Sequence, residues 1–109
     1  MRIFVASLLI VPALTVMSAA SSPGIAEAVR TGEIIGGAMA CGVPQGRILS
    51  VARSVTRRIS ELAQSPDEIR QARTFHEDAV KRASERIKAG EGDCGEAVHS
   101  FDRLEAEQR

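Results

Sequence analysis

The stretch "GEIIGGAMACGVP", residues 32–44, decides the fold of this 109-residue chain. Within it, Gly32, Gly36 and Ala40 recur at every fourth position, which places them on one face of a helix. A ridge of such small residues lets a second helix approach closely. Because the run is too short to cross a bilayer, we expect the ridge to pack inside a helical bundle.

Turn signals divide the rest of the chain into four helices. Gly42 and Pro44 end the first helix, and Gly90 and Gly92 end the third. Between these breaks apolar residues recur at spacings of three and four, with hardly any strand alternation. We expect helices at about residues 24–41, 45–64, 66–89 and from 94 onward. Since the connections are short, the predicted fold class is all-α, a small up-down-up-down bundle of four helices.

Two of the predicted helix starts have strong capping signals. "SPDE", residues 65–68, puts Ser65 at the N-cap position and a proline at the first helical position. Asp93 is expected to cap the fourth helix, with Glu96 as its capping-box partner.

The inner face of the first helix is predicted to contain Ile25, Val29, Gly32, Gly36 and Met39.

The first twenty residues, "MRIFVASLLIVPALTVMSAA", have the pattern of a secretory signal peptide. Arg2 precedes an apolar run, and small residues up to Ala20 form the cleavage site. An uncleaved membrane anchor is the alternative, which Pro12 disfavours. We therefore expect residues 1–20 to be removed and residues 21–109 to form one domain, periplasmic or secreted, with no stable insertion in the membrane.

The composition of this domain excludes several partners. Residues 21–109 contain 13 basic and 14 acidic side chains, so there is no bulk attraction to nucleic acid or to anionic lipid. Phe75 and Phe101 are its only aromatic residues, which leaves few platforms for stacking bases. We expect no nucleic-acid partner.

The two cysteines are predicted to form one disulfide. In an up-down-up-down bundle the first helix ends where the fourth begins, so Cys41 and Cys94 meet at one pole. Exported chains commonly form disulfides. A disulfide between two chains is the alternative that the sequence leaves open.

A metal-ion site is a second prediction near Cys94. Glu91, Asp93 and Glu96 crowd a glycine-rich turn, and carboxylates on such turns bind hard cations. The Glu96–His99 pair has the spacing used in di-iron bundles, but those sites need a second such pair. We expect no cofactor, with a bound metal ion as the alternative.

His76 falls in the apolar stripe of the third helix. One interpretation is a histidine that is hydrogen-bonded at the core edge, and another is a haem ligand opposite Met39. A third is a pH switch: acid would favour the unfolded chain, in which the imidazole is free to take up a proton. This third interpretation would suit an acid-responsive periplasmic chaperone.

The functional prediction is reached mainly by elimination. The chain has no hydrolase, zincin, phosphate-loop or dinucleotide motif, so we expect no enzyme. The leading hypothesis is a non-catalytic exported module that binds another envelope protein or a second copy of itself. Ile34, Leu49 and Phe75 fall off their apolar stripes and are the predicted contacts. Metal binding and acid-responsive chaperoning are the alternatives.

Overall fold

The computed structural model describes residues 22–109. Its four helices are α1 (Pro23–Ala40), α2 (Gln45–Leu62), α3 (Pro66–Lys88) and α4 (Cys94–Glu107). The predicted all-α fold with four helices is therefore confirmed. Within the described residues, no helix combines the length and apolarity that crossing a membrane requires. The predicted signal peptide, residues 1–20, lies outside the described residues.

Side-chain caps start three of the four helices. The Ser65 hydroxyl accepts a hydrogen bond from the backbone N–H three residues later at 3.0 Å, and the Asp93 carboxylate does the same at 2.9 Å. Both caps are predicted from the sequence, whereas a third, Ser22 followed by Pro23, is not. This cap explains why α1 begins one residue earlier than expected.

Helices α1 and α3 both end at a glycine with positive φ. Gly42 has φ of 88° and Gly90 has φ of 81°. The N–H of the residue after each glycine donates to a carbonyl five positions earlier, at 3.0 Å in α1 and 2.9 Å in α3. This is the Schellman arrangement, which satisfies the last carbonyls of a helix and reverses the chain.

The small-residue ridge of α1 packs directly against the backbone of α3. A Cβ built on Gly32 would lie 2.6 Å from the His76 carbonyl oxygen, and one on Gly36 would overlap the Val80 carbonyl. Each pair differs by 44 in residue number, so the helices run in the same direction. In an up-down-up-down bundle they would be diagonal partners, and the glycines are what allow them to touch.

Helix α1 is the centre of the bundle. It packs against the other three helices, so its buried residues lie on several faces rather than on one stripe. Ala28 and Ile35 are buried although they lie off the predicted face, whereas Met39 is 49% exposed. The prediction that Met39 faces inward was wrong, because it lies in the last turn of α1 where the chain is about to reverse.

The opposite side of α1 is covered by larger side chains from α2 and α4. Phe101 and Leu104 of α4 are 0% and 1% exposed and share one core cluster with Val55 of α2. Arg47 of α2 lies over the Phe101 ring, 5.3 Å from its centroid. Its guanidinium also binds Glu105 at 2.7 Å, so a cation covers this part of the core.

Candidate functional site

A disulfide joins Cys41 and Cys94 at the pole where α1 ends and α4 begins. Their Cα atoms are 5.5 Å apart, and the described residues contain no free cysteine. Helix α1 ends at Ala40, and Cys41 leaves helical geometry with ψ near 6° before the turn at Gly42. The predicted intramolecular pairing is confirmed.

A cleft of about 390 Å³ opens next to this disulfide, between α1, α3 and α4. Its apolar lining consists of Ile34, Ala83, Ile87 and Ala97. Gly37 helps to leave the space open, because a Cβ there would lie 3.3 Å from the Ala97 methyl group. The cleft is thus a groove with an apolar floor, built from three helices and held at one end by the disulfide.

The rim of this cleft is mainly acidic. Glu33 of α1 and Asp93 and Glu96 at the start of α4 face one cation, Arg86 of α3. The capping bond from the Glu96 N–H to the Asp93 carboxylate fixes part of this rim. Because acids exceed bases, the rim favours a ligand with positive charge beside an apolar group.

The three predicted contact residues lie on different surfaces. Ile34 is half-buried and lines the cleft, where it also packs against the core. Phe75 is 43% exposed beside its own α3 neighbours Thr74 and Lys81. Leu49 is 48% exposed on α2. The structure therefore brings only Ile34 of the three into the cleft.

The carboxylates predicted to hold a metal ion do not form a set of ligands. Within residues 22–109 no group of three or more histidine, cysteine or acidic side chains is arranged to hold a metal ion. Asp93 is occupied as the α4 cap, and Glu91 follows the turn at Gly90 with its N–H bonded back to α3. Metal binding at Glu91, Asp93 and Glu96 has no support in this geometry and stays a prediction.

His76 is half-buried against α1, as the core-edge interpretation expects. Its Nδ1 lies 3.0 Å from the Ala28 carbonyl oxygen and 3.4 Å from the buried Thr31 hydroxyl. A carbonyl only accepts, so Nδ1 carries a proton and donates. This bond persists when the ring is protonated, so the contact with Ala28 does not itself supply the predicted acid switch. The haem interpretation loses its partner, because Met39 is exposed.

Arg47 of α2 forms ion pairs with two carboxylates of α4. Its Nη2 atom lies 2.7 Å from Glu105 and 2.9 Å from Asp102. The hydrogen bonds that Arg47 donates to Glu105 and then to Asp102 raise the pKa of Arg47, and accepting from Arg47 lowers the pKa of Glu105. Sequence reasoning missed this cluster, because Arg47 and Glu105 are 58 positions apart.

Comparison with known proteins finds no matching family model, no similar curated protein and no similar solved structure. The candidate function therefore has to be argued from the chain's own residues.

Proposed function

We propose that the protein is a small exported, non-catalytic module that binds another protein of the cell envelope. The cleft between α1, α3 and α4 is the proposed contact surface. One observation carries the proposal: an apolar floor containing Ile34 and Ile87 lies open beneath a rim with three acids and one base. An apolar surface of this kind is commonly a binding site.

The chemistry of the cleft indicates what the partner segment looks like. The floor takes one or two apolar side chains, and the excess of acids takes lysine or arginine beside them. A short amphipathic helix that is basic next to its apolar face has both features. The disulfide supports this role, because it holds the start of α4 against the end of α1 and pre-shapes the groove.

A pair of designed peptides tests this site. The first is a helical peptide with leucines on one face flanked by lysines, and the second has glutamates in place of the lysines. We expect the basic peptide to bind, and Glu33→Lys to weaken it about three- to tenfold, a typical effect for an exposed rim charge. Glu61→Lys on α2, which also reverses an exposed glutamate, is the matched control. Equal binding of both peptides, or equal loss in both variants, would contradict the proposal.

Binding in the cell is tested by site-specific photocrosslinking. A photoreactive residue at Ser100, which lines the cleft, is expected to trap a partner. The same residue at Ser54 on α2 is the control, since Ser54 lies outside the cleft. A trapped band that the basic peptide competes away would identify the segment. Identical bands at both positions would argue against the cleft.

Export is tested by the intact mass of the protein purified from its own compartment. A chain that begins at Ser21 and gains two mass units on reduction would support signal cleavage and the internal disulfide together. A mass that retains residues 1–20 would contradict signal cleavage and favour the uncleaved membrane anchor.

A further inference from the structure

A second small crevice lies between α2 and α3, away from the acidic cleft. It has a volume of about 40 Å³. Its lining consists of Thr56, Ile59 and Ser60 from α2 and Ile69, Arg73 and His76 from α3. We propose that this crevice is a binding site for a carboxylate group with a short apolar stem.

The polar groups around the crevice include one guanidinium and two hydroxyls, with no competing acid. The Arg73 guanidinium only donates, and the hydroxyls of Thr56 and Ser60 can donate. No carboxylate is among the six residues that line this crevice. None of the ion pairs found within residues 22–109 engages Arg73, whereas Arg70, one turn earlier, is paired with Asp67. A set of donors around an uncompensated guanidinium selects an oxyanion.

A carboxylate matches the planar fork of arginine. Its two coplanar oxygens can accept two parallel hydrogen bonds from the guanidinium. Ile59 and Ile69 form the apolar part of the wall and accommodate the methylene groups next to the carboxylate.

His76 supplies the inner wall. Its Nδ1 donates to the Ala28 carbonyl, which leaves Nε2 on the side of the ring away from that bond. The other groups at this ring are the charged Arg73, the hydroxyls of Thr31, Thr56 and Ser60, and the Ala28 carbonyl.

Butyrate and its neutral amide, butyramide, are the probes that test this site. At constant ionic strength, butyrate is expected to shift the amide and side-chain NMR signals of Thr56, Ser60 and Arg73, and butyramide is not. Arg73→Gln is expected to weaken butyrate binding at least tenfold. Arg70→Gln, on the same helix but outside the crevice, is expected to leave it unchanged.

Three outcomes would overturn the proposal. Equal shifts with butyramide would make the crevice a simple apolar slot, and equal losses in Arg73→Gln and Arg70→Gln would reduce the effect to overall charge. Binding of inorganic phosphate without butyrate would contradict the choice of a carboxylate. Unchanged thermal unfolding of both arginine variants makes any loss a property of the site.

Discussion

The two sides of α1 are packed by opposite means. Toward α3 the contact is made by glycines and alanines, so the backbones of α1 and α3 are in direct contact around Gly32 and Gly36. Toward α2 and α4 the contact is made by large side chains, above all Phe101, with Arg47 lying over its ring. The α3 side has no room for an additional methyl group. The α2–α4 side depends on the volume of the side chains that already fill it. The same central helix should therefore respond to opposite substitutions on its two sides.

Removing volume from the α4 side is expected to have the largest effect. Phe101 is fully buried, and Phe101→Ala should lower the free energy of unfolding by about 3–5 kcal/mol through lost burial and a residual cavity. Chemical denaturation with a circular-dichroism readout measures this. Phe75→Ala, at a 43% exposed position on α3, is the control and should cost far less. Equal losses at the two positions would contradict the assignment of the core.

Breaking the disulfide is expected to loosen the α4 side more than the α3 side. The bond spans 53 positions, and its removal in Cys41→Ser/Cys94→Ser should cost about 4 kcal/mol in the chain-entropy model. Hydrogen exchange should then rise first in α4, while the glycine-packed α1–α3 pair keeps its protection. Uniform loss of protection in all four helices would mean that the two sides do not differ in this way.

Adding one methyl group at the α1–α3 contact tests the other side. A Cβ at Gly36 would overlap the Val80 carbonyl, which is backbone and cannot rotate away, so Gly36→Ala should destabilise by about 3 kcal/mol. Gly46→Ala is the matched control, because a Cβ at this α2 position meets nothing within 4 Å. That variant should gain up to about 1 kcal/mol from the lower entropy of its unfolded chain. Thermal unfolding of both variants measures the two effects. A Gly36→Ala variant as stable as the native chain would contradict the close contact.

Acid should weaken the Arg47 cluster, with the smallest effect of the four. The pKa of Glu105 is lowered by Arg47 from its ordinary value of 4.5, so its contribution to stability is complete above that value and is lost as the pH falls through the lowered pKa. Glu105→Gln should therefore lose stability near pH 7 and flatten the acid side of the stability profile. Glu77→Gln, at an exposed α3 position outside the ion pairs of residues 22–109, is the control. An acid profile of Glu105→Gln identical to that of the native chain would contradict this role.

The features predicted correctly from the sequence all have local or topological signals. Ser65 and Asp93 stand at fixed offsets from the helices they cap, and Gly32 and Gly36 repeat at helical spacing. The pairing of Cys41 with Cys94 followed from short connections and the alternation of helix directions.

The features that the sequence analysis missed depend on three helices at once. Met39 was placed inside because one inner stripe was assumed for α1, whereas α1 is surrounded and its buried positions lie on several faces. The cleft brings Ile34, Arg86 and Ala97 together from three helices, and no spacing along the chain marks such a set. The Arg47 cluster has the same origin.

The directions of α1 and α4 place both ends of the described chain at the pole opposite the disulfide. Helix α1 starts there and α4 returns there, where Arg30 binds Glu107 at 3.1 Å. A fluorescent protein or surface tether joined before Ser22 or after Arg109 would thus project away from the cleft. The molecule can therefore be immobilised by either end with its cleft facing away from the surface.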